Sequence, residues 1–387
     1  MNITVIKVGS STLVAPDGRL RETVLAARVE ELAALVDAGE HPILVSSGAV
    51  ACGLGRLGID DRPTALADLQ AASAVGQGVL FQRYSELFAP HGVVPAQVLL
   101  SSADFANRAS YLNARTTLRR LLELGTVPII NENDTTATDE LTFGDNDVLA
   151  AQVAILMGAR LLLLLTDRDG LYGPGADGEP QLLGAIPPDT SPDSVALADL
   201  SGSGMGRGGI TSKIAAAAMA VGGGVACTIA SGRDDGVIPA AVTGGTVGTR
   251  FAANRRHESS FKLWLRHART VRGDIEVDAG AASALRERGT SLLAVGVVGC
   301  AGSFQPGDAV RVVEMPGRVV VGKGIVRLSN DELRAVAGMK SEAVRTYYPE
   351  TATPVIHRDE FVLVGPKKST RRGSAATGSP SDANGRG

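Results

Sequence analysis

From Asn2 to about Thr249 short apolar runs alternate with longer amphipathic stretches, and that rhythm predicts repeated strand–helix–strand units. ITVIKV at 3–8 opens the series, followed by the helical pattern ETVLAARVEELAALVDAG at 22–39 and the apolar run PILVS at 42–46. Further buried strands are expected at 93–98, 127–130, 161–165 and 225–229, with helices at 113–124 and 148–157. Strands that are apolar throughout, each adjoining a helix, imply a mostly parallel sheet covered by helices. Gly39, Gly125 and Gly158 each follow a helical run and precede a strand, the place where a left-handed helix cap is cheapest for glycine.

After about Phe251 the pattern changes. Residues 253–272 are basic, hold the single tryptophan, Trp264, and break the alternation, so they read as a linker. Residues 273–365 carry short strand-like runs (SLLAVGVVG, AVRVVEM, RVVVGKGIVRL) separated by Gly, Pro and Asp turns, with one short helix, AASALRER. A small β-rich domain is expected there. Residues 366–387 are rich in Gly, Ser and Pro with five basic residues and one acid, a composition that predicts a disordered basic tail. No internal period recurs that would imply a repeat architecture.

Composition narrows the picture. A chain of 387 residues, 44% of them apolar, can bury one large core and a second smaller one. Its 38 basic and 41 acidic residues leave a net charge of -3, which argues against a protein built to coat nucleic acid. Cys52, Cys227 and Cys300 are widely spaced and form no CxxC pair, as expected in a reducing cytoplasm. The N-terminus reads as a first strand rather than a signal peptide, and the longest apolar bursts fall well short of the roughly 20 residues that cross a bilayer. A soluble protein without a membrane partner is expected.

In open α/β sheets a ligand lies beyond the carboxyl ends of the strands, so the residues after each strand are the candidates. The first strand ends in Lys7 and runs into Val8-Gly9-Ser10-Ser11-Thr12, a cation beside small residues whose amides suit an anion, although a snorkelling lysine before a turn has the same pattern. The second ends in Ser46-Ser47-Gly48, where Ser47 serves either as a ligand donor or as a helix cap. The run Asn131-Glu132-Asn133-Asp134, then Asp145-Asn146-Asp147, crowds polar side chains that must face water, a metal or a polar ligand. Asp147 equally suits a helix cap. Thr166-Asp167 closes another strand, with an ordinary Asp-Gly turn as the alternative. A glycine-rich run at 202–209 leads through Ile210, Thr211 and Ser212 to Lys213, which falls in the first turn of an Ala-rich helix. Glycines before a helix N-terminus cradle phosphate, although the GxGxxG match at Gly204, Gly206 and Gly209 lacks the preceding strand of a dinucleotide fold.

The GxxxxGK[ST], HExxH and GxSxG motifs and the protein-kinase set are all missing, and the five histidines lie away from these strand ends. With no imidazole base on offer, phosphoryl transfer to an acceptor that is already anionic fits best, because a carboxylate needs no deprotonation at neutral pH. Two lysines, a helix N-terminus and a magnesium ion would offset the charge on the transferred group.

VIKVGSS, LVSSGAVACG, VPIINENDTTAT, FGDNDVLAA, LLLLLTDRDGLY and GGITSK, in this order, closely resemble the amino-acid kinase family, and within it the branch that phosphorylates glutamate. Asp278-Ala279-Gly280-Ala281, Ser291-Leu292-Leu293 and Phe304-Gln305-Pro306-Gly307-Asp308 resemble a PUA domain. The resemblance implies a three-layer αβα sandwich over 1–252, a linker at 253–272 and a PUA domain at 273–365. It implies that ATP contacts Lys7, Thr166, Asp167, Arg207, Gly208, Gly209, Ile210, Thr211, Ser212 and Lys213, and that L-glutamate contacts Ser47, Asp134 and Asn146. Lys7 and Lys213 would stabilise the transition state, with Asp145 and Asp147 organising magnesium or the neighbouring lysine. Arg207 stands where the family usually has threonine, and its guanidinium is compatible with nearby phosphates.

The implied reaction makes L-glutamate 5-phosphate, the first step of proline synthesis, in a cytoplasmic homo-oligomer restrained by proline, with a reducing dehydrogenase as the next enzyme. The alternatives are a kinase of the same family acting on N-acetylglutamate or aspartate, or an RNA-binding protein acting through the PUA domain.

Overall fold

The computed structural model describes residues 1–15, 18–136, 145–175, 179–187, 190, 195, 207–254, 258–267, 269, 271–347, 349 and 354–364. The chain divides into two compact units, Met1–Thr270 and Val271–Gly387.

The first unit is built on strands β1 (Ile3–Val8), β2 (His41–Val45), β3 (Pro95–Leu100), β4 (Val127–Glu132), β5 (Leu161–Thr166), β6 (Tyr172–Pro174), β7 (Pro180–Leu182), β8 (Ala185–Ile186), β9 (Ala226–Ser231) and β10 (Thr249–Phe251). Eight of them form one sheet in the order β3-β4-β2-β1-β5-β9-β10-β8, while β6 and β7 make a separate hairpin. Pairing is parallel from β3 through β9; β10 runs antiparallel to β9, and β8 is parallel to β10. The helices are α1 (Ser10–Leu13), α2 (Glu22–Asp37), α3 (Ala49–Leu57), α4 (Leu66–Phe88), α5 (Ser102–Ala106), α6 (Arg108–Glu123), α7 (Asp145–Met157), α8 (Arg207–Gly222), α9 (Val237–Val242) and α10 (Ser260–His267). The expected mostly parallel, helix-covered sheet is therefore present.

Strand alternation decides which side chains meet which layer. Ile6, Val8, Leu163 and Leu165 share one core with Leu25, Val29 and Leu32 of α2, Tyr84 and Phe88 of α4, and Ile238 of α9. Val5 and Lys7 consequently point to the opposite face, where α7 lies on β1 and β5 and α8 on β5 and β9. Because the chain goes to β2 on one side of β1 and returns to β5 on the other, connections diverge at the β1–β5 seam, and a crevice is expected outside the carboxyl ends there.

Two glycines bring α3 and α4 together. A Cβ at Gly76 would collide with the Ala49 carbonyl and the Gly53 amide, and one at Gly53 with the Ala72 carbonyl. Only bare backbones fit this crossing. The helix-end glycines Gly39, Gly125 and Gly158 adopt the left-handed conformation that the sequence pattern implied, with φ of 78°, 73° and 62°.

The segment expected to be a linker differs. Residues 260–267 of it form α10, which packs on α7 and α8 with Leu263 and Leu265 buried, and Leu263 lies where a Cβ on Gly222 would be. The change in composition after Phe251 marks an amphipathic helix of the first unit, and the division between units falls after Thr270.

The second unit holds a five-stranded sheet of β11 (Val271–Val277), β12 (Val297–Gly302), β13 (Ala309–Glu314), β14 (Val319–Ile325) and β15 (Phe361–Leu363) in the order β12-β11-β13-β14-β15. Short helices α11 (Ala279–Ser283), α12 (Asn330–Val336) and α13 (Ser341–Tyr347) accompany it. Its own core contains Ile275, Val277, Phe304, Val312, Leu333 and Val344, which matches the expected small β-rich domain. The basic tail expected at 366–387 lies outside the described residues. Among the described residues no helix is long and apolar enough to cross a membrane.

Candidate active site

Lys7 sits on the central strand opposite Val45 and Leu164, one residue before the strand ends. Its ammonium lies 2.7 Å from Oδ1 of Asp147, in the first turn of α7, while Lys213 Nζ of α8 donates to Oδ2 of the same carboxylate at 3.1 Å. The Ser212 hydroxyl also donates to that Oδ2, at 2.8 Å. Asp147 is 1% exposed, Lys7 4% and Lys213 8%, so the three charges lie almost wholly out of water.

Burial by itself pushes the Asp147 carboxyl up, but the ammoniums of Lys7 and Lys213, together with the bonds from Lys7 and Ser212, hold it below the usual aspartate value. For Lys7 burial is the largest influence and lowers it; attraction to Asp147 works against this and repulsion from Lys213 adds to it. One carboxylate thus holds two ammoniums side by side at the end of the sheet. Each ammonium has three donors, so engagement with Asp147 leaves others for a ligand. Asp147 is neither a solvated turn residue nor simply a helix cap.

Next to Asp147 in the chain, Asn146 opens a second network. Its Nδ2 donates to Ser47 Oγ at 3.2 Å and to Asn131 Oδ1 at 3.0 Å. Asn131, the fifth residue of β4, donates in turn to Gln77 Oε1 of α4 at 2.7 Å. Asn146 Oδ1 is buried with no partner among the described residues, an acceptor available to a ligand's donor. Ser47 is buried and makes no cap bond to α3, whose cap residue is Gly48. Gly48 has φ of 101°, which a β-carbon would strain, and a Cβ there would stand 2.9 Å from Val14 Cγ2.

Asp134, just after β4, accepts a short hydrogen bond from the Ser73 hydroxyl, one helical turn before Gln77 on α4. Burial raises its carboxyl above the usual value, and the bond from Ser73 partly offsets this. Thr166 ends β5 beside Ser231 of β9, and its hydroxyl donates to Asp167 Oδ1 at 3.2 Å. Beyond β9, the buried Arg28 of α2 donates to the carbonyls of Gly232 (2.9 Å) and Asp234 (2.8 Å) and pairs with Glu31 at 2.8 Å. Glu31 accepts from the amides of Gly236 (2.7 Å) and Ile238 (3.2 Å), so the pair fastens the loop that borders this end of the sheet.

The fold therefore gathers Lys7, Ser47, Asn146 and Lys213, the neighbouring residues Asn146 and Asp147 setting the two networks side by side. Arg207 opens α8 and Asp145 opens α7, but the side chains of Arg207 and Asp145 lie outside the described part, as do residues 137–144 and 201–206 with the start of the glycine-rich run. Gly209, Ile210 and Ser212 are half-buried and Thr211 is exposed in the first turns of α8. Ser73 and Gln77 escaped the sequence reading because neither follows a strand. Their one signal is a serine and a glutamine interrupting the buried stripe of Leu69, Ala72, Leu80 and Tyr84.

Among the described residues no group of three His, Cys, Asp or Glu could hold a metal ion, and both oxygens of Asp147 face ammoniums.

A parallel sheet with an ammonium pair at the divergence of its central strands defines the class: the chain belongs to the amino-acid kinase family, whose profile matches residues 2–231. A PUA domain profile matches residues 273–348. A protein named glutamate 5-kinase from Chromohalobacter salexigens is 44% identical over 366 residues, covering 93% of this chain and 95% of that one. Proteins of the same name from Pseudomonas putida and Moorella thermoacetica are 43% and 41% identical, each covering 93% of this chain and 97% and 96% of their own. A solved UMP kinase from Bacillus anthracis covers 65% of this chain and 96% of its own at a TM-score of 0.43 and 14% identity.

Proposed function

We propose that this protein transfers the γ-phosphoryl group of ATP to the side-chain carboxylate of L-glutamate, forming L-glutamate 5-phosphate and ADP as the first step of proline synthesis. The observation that carries the reading is the Lys7–Asp147–Lys213 triad, two buried ammoniums held against one carboxylate where the strand connections diverge. A carboxylate oxygen of glutamate attacks Pγ as the bond from Pγ to the bridging oxygen of ADP breaks. No proton moves, so no general base is needed.

Lys7 and Lys213 face the charge that spreads over the transferred group, and Asp147 keeps them close together despite their repulsion. Thr166, Asp167 and the start of α8 from Arg207 to Ser212 line the nucleotide side in this reading. Ser47, Asp134 and Asn146 hold the α-amino and α-carboxylate ends of glutamate, leaving its side chain free to attack. Asp145 is the further acidic candidate beside the phosphates, and magnesium enters on the nucleotide.

The same reading includes proline as an inhibitory ligand at the glutamate site, a dehydrogenase that reduces the labile acyl phosphate, and a homo-oligomer in the cytoplasm. Its domain plan is a kinase domain followed by a PUA domain that offers a surface to RNA.

The test is to incubate the protein with MgATP and hydroxylamine plus L-glutamate, N-acetylglutamate or L-aspartate, and to measure ADP and trapped hydroxamate. Glutamate-dependent hydroxamate is expected, and Lys213→Ala should lower kcat by about 100-fold or more, as for loss of one preorganised donor to a transition-state anion. Turnover of another acid in preference to glutamate overturns the substrate assignment. Salt-sensitive RNA binding without turnover of any of the three would move the function to the second unit.

A further inference from the structure

We propose that Gln77 is a positioning residue that, together with the Glu132 amide, holds the Asn131 side chain and so fixes which way the Asn146 amide faces, presenting an acceptor to the ammonium of the amino-acid substrate. This deepens the glutamate reading and rests on it.

The orientation can be followed atom by atom from a backbone group. The amide nitrogen of Glu132 is only a donor, and it stands 2.9 Å from the Asn131 side chain, so the group facing it is Oδ1. That oxygen also lies 3.0 Å from the amide of Asn146, which must therefore turn Nδ2 toward it. The same Nδ2 reaches Ser47 Oγ, and Asn146 Oδ1 is left buried and without a partner among the described residues. The other end of Asn131, Nδ2, needs an acceptor in a place that is 2% exposed, and Gln77 Oε1 supplies it at 2.7 Å.

Without that acceptor Asn131 has a buried donor unmet, and the preference for one amide orientation over its flipped form weakens. The flip would set the Asn131 amino group against both the Glu132 N–H and Asn146 Nδ2. Asn146 could then settle only by turning its own oxygen inward, withdrawing the acceptor from the ligand. Gln77 touches neither the substrate-facing atom nor the ammonium pair, so its influence falls on amino-acid affinity rather than on phosphoryl transfer.

The experiment compares wild type, Gln77→Leu and Gln77→Glu in the glutamate hydroxamate assay, with KM for glutamate, KM for ATP, kcat and melting temperature measured for each. Gln77→Leu should raise KM for glutamate about tenfold, the typical consequence of losing one buried hydrogen bond. KM for ATP and kcat should stay near wild type. Gln77→Glu keeps a carbonyl acceptor and should recover most of the lost affinity. Gln77→Met, an unbranched chain without a strong acceptor, carries the same expectation if the leucine variant does not fold.

An unchanged glutamate KM in a folded leucine or methionine variant overturns the inference, as does a parallel loss of kcat and ATP affinity, or a glutamate variant no better than leucine. Those results leave the substrate assignment standing. A wild-type protein that never uses glutamate removes both.

Discussion

The ammonium of Lys7 stands 2.7 Å from Oδ1 of Asp147 while the other oxygen of that carboxylate holds Lys213, so a single buried charge governs two cations. Replacing Asp147 by Asn keeps the shape but leaves both ammoniums without their counter-charge. Breaking a buried ion pair from one side costs about 3–5 kcal/mol, which a shift in urea midpoint would show. The sign of the pH dependence follows from the depressed folded value of Asp147. Its stabilising contribution is complete above the unfolded value and is lost as pH falls through the folded one. The wild-type advantage over Asp147→Asn should therefore shrink on acidification, and an advantage independent of acidic pH would contradict this account.

Asp134 behaves oppositely, because burial raises its carboxyl. It therefore protonates at higher pH than a free aspartate and loses its attraction for an ammonium earlier. KM for glutamate should climb as pH falls, beginning above the ordinary aspartate range, with KM for ATP much less affected. Ser73→Ala removes a hydrogen bond that favours the ionised form, so the acid limb should move to still higher pH. A limb that does not move, seen in pH profiles of kcat/KM, would exclude Ser73 from this role.

Gly76 and Gly78 lie two residues apart on α4 with opposite surroundings. Gly76→Ala drives a methyl into the backbone of α3 and should destabilise by about 1–3 kcal/mol or more, raising KM for glutamate as Ser73 and Gln77 move with the helix. At Gly78 nothing lies within 4 Å, so Gly78→Ala should stabilise by about 0.5–1 kcal/mol. Chemical denaturation of the two variants checks both signs.

Much of this site was legible because parallel sheets place their chemistry directly after strands. Lys7, Asn131 and Thr166 lie in the last residues of their strands and Ser47 and Asp134 just beyond theirs, and apolar runs locate the strands. The ambiguous readings were those with two uses for one residue: Ser47 as ligand donor or cap, Asp147 as cap or ion partner. A cap is a local bond, whereas the bond that Ser47 makes comes from Asn146 on another element. Within the segment read as a linker, residues 260–267 form a short helix that buries Leu263, Trp264 and Leu265, a tertiary packing that the local composition does not reveal.

Periodicity and strand-end chemistry, which depend on neighbours a few residues apart, determined the α/β class, the β-rich second unit and the positions of the lysines and the Asn–Asp run. Only the tertiary structure decided that Lys7 and Lys213 share Asp147, that α3 and α4 cross through Gly53 and Gly76, and that Ser73 and Gln77 reach Asp134 and Asn131. Those relationships join residues far apart in the chain. They arise from the order of strands in the sheet and the facing of helices across it, which local hydrophobic pattern does not encode.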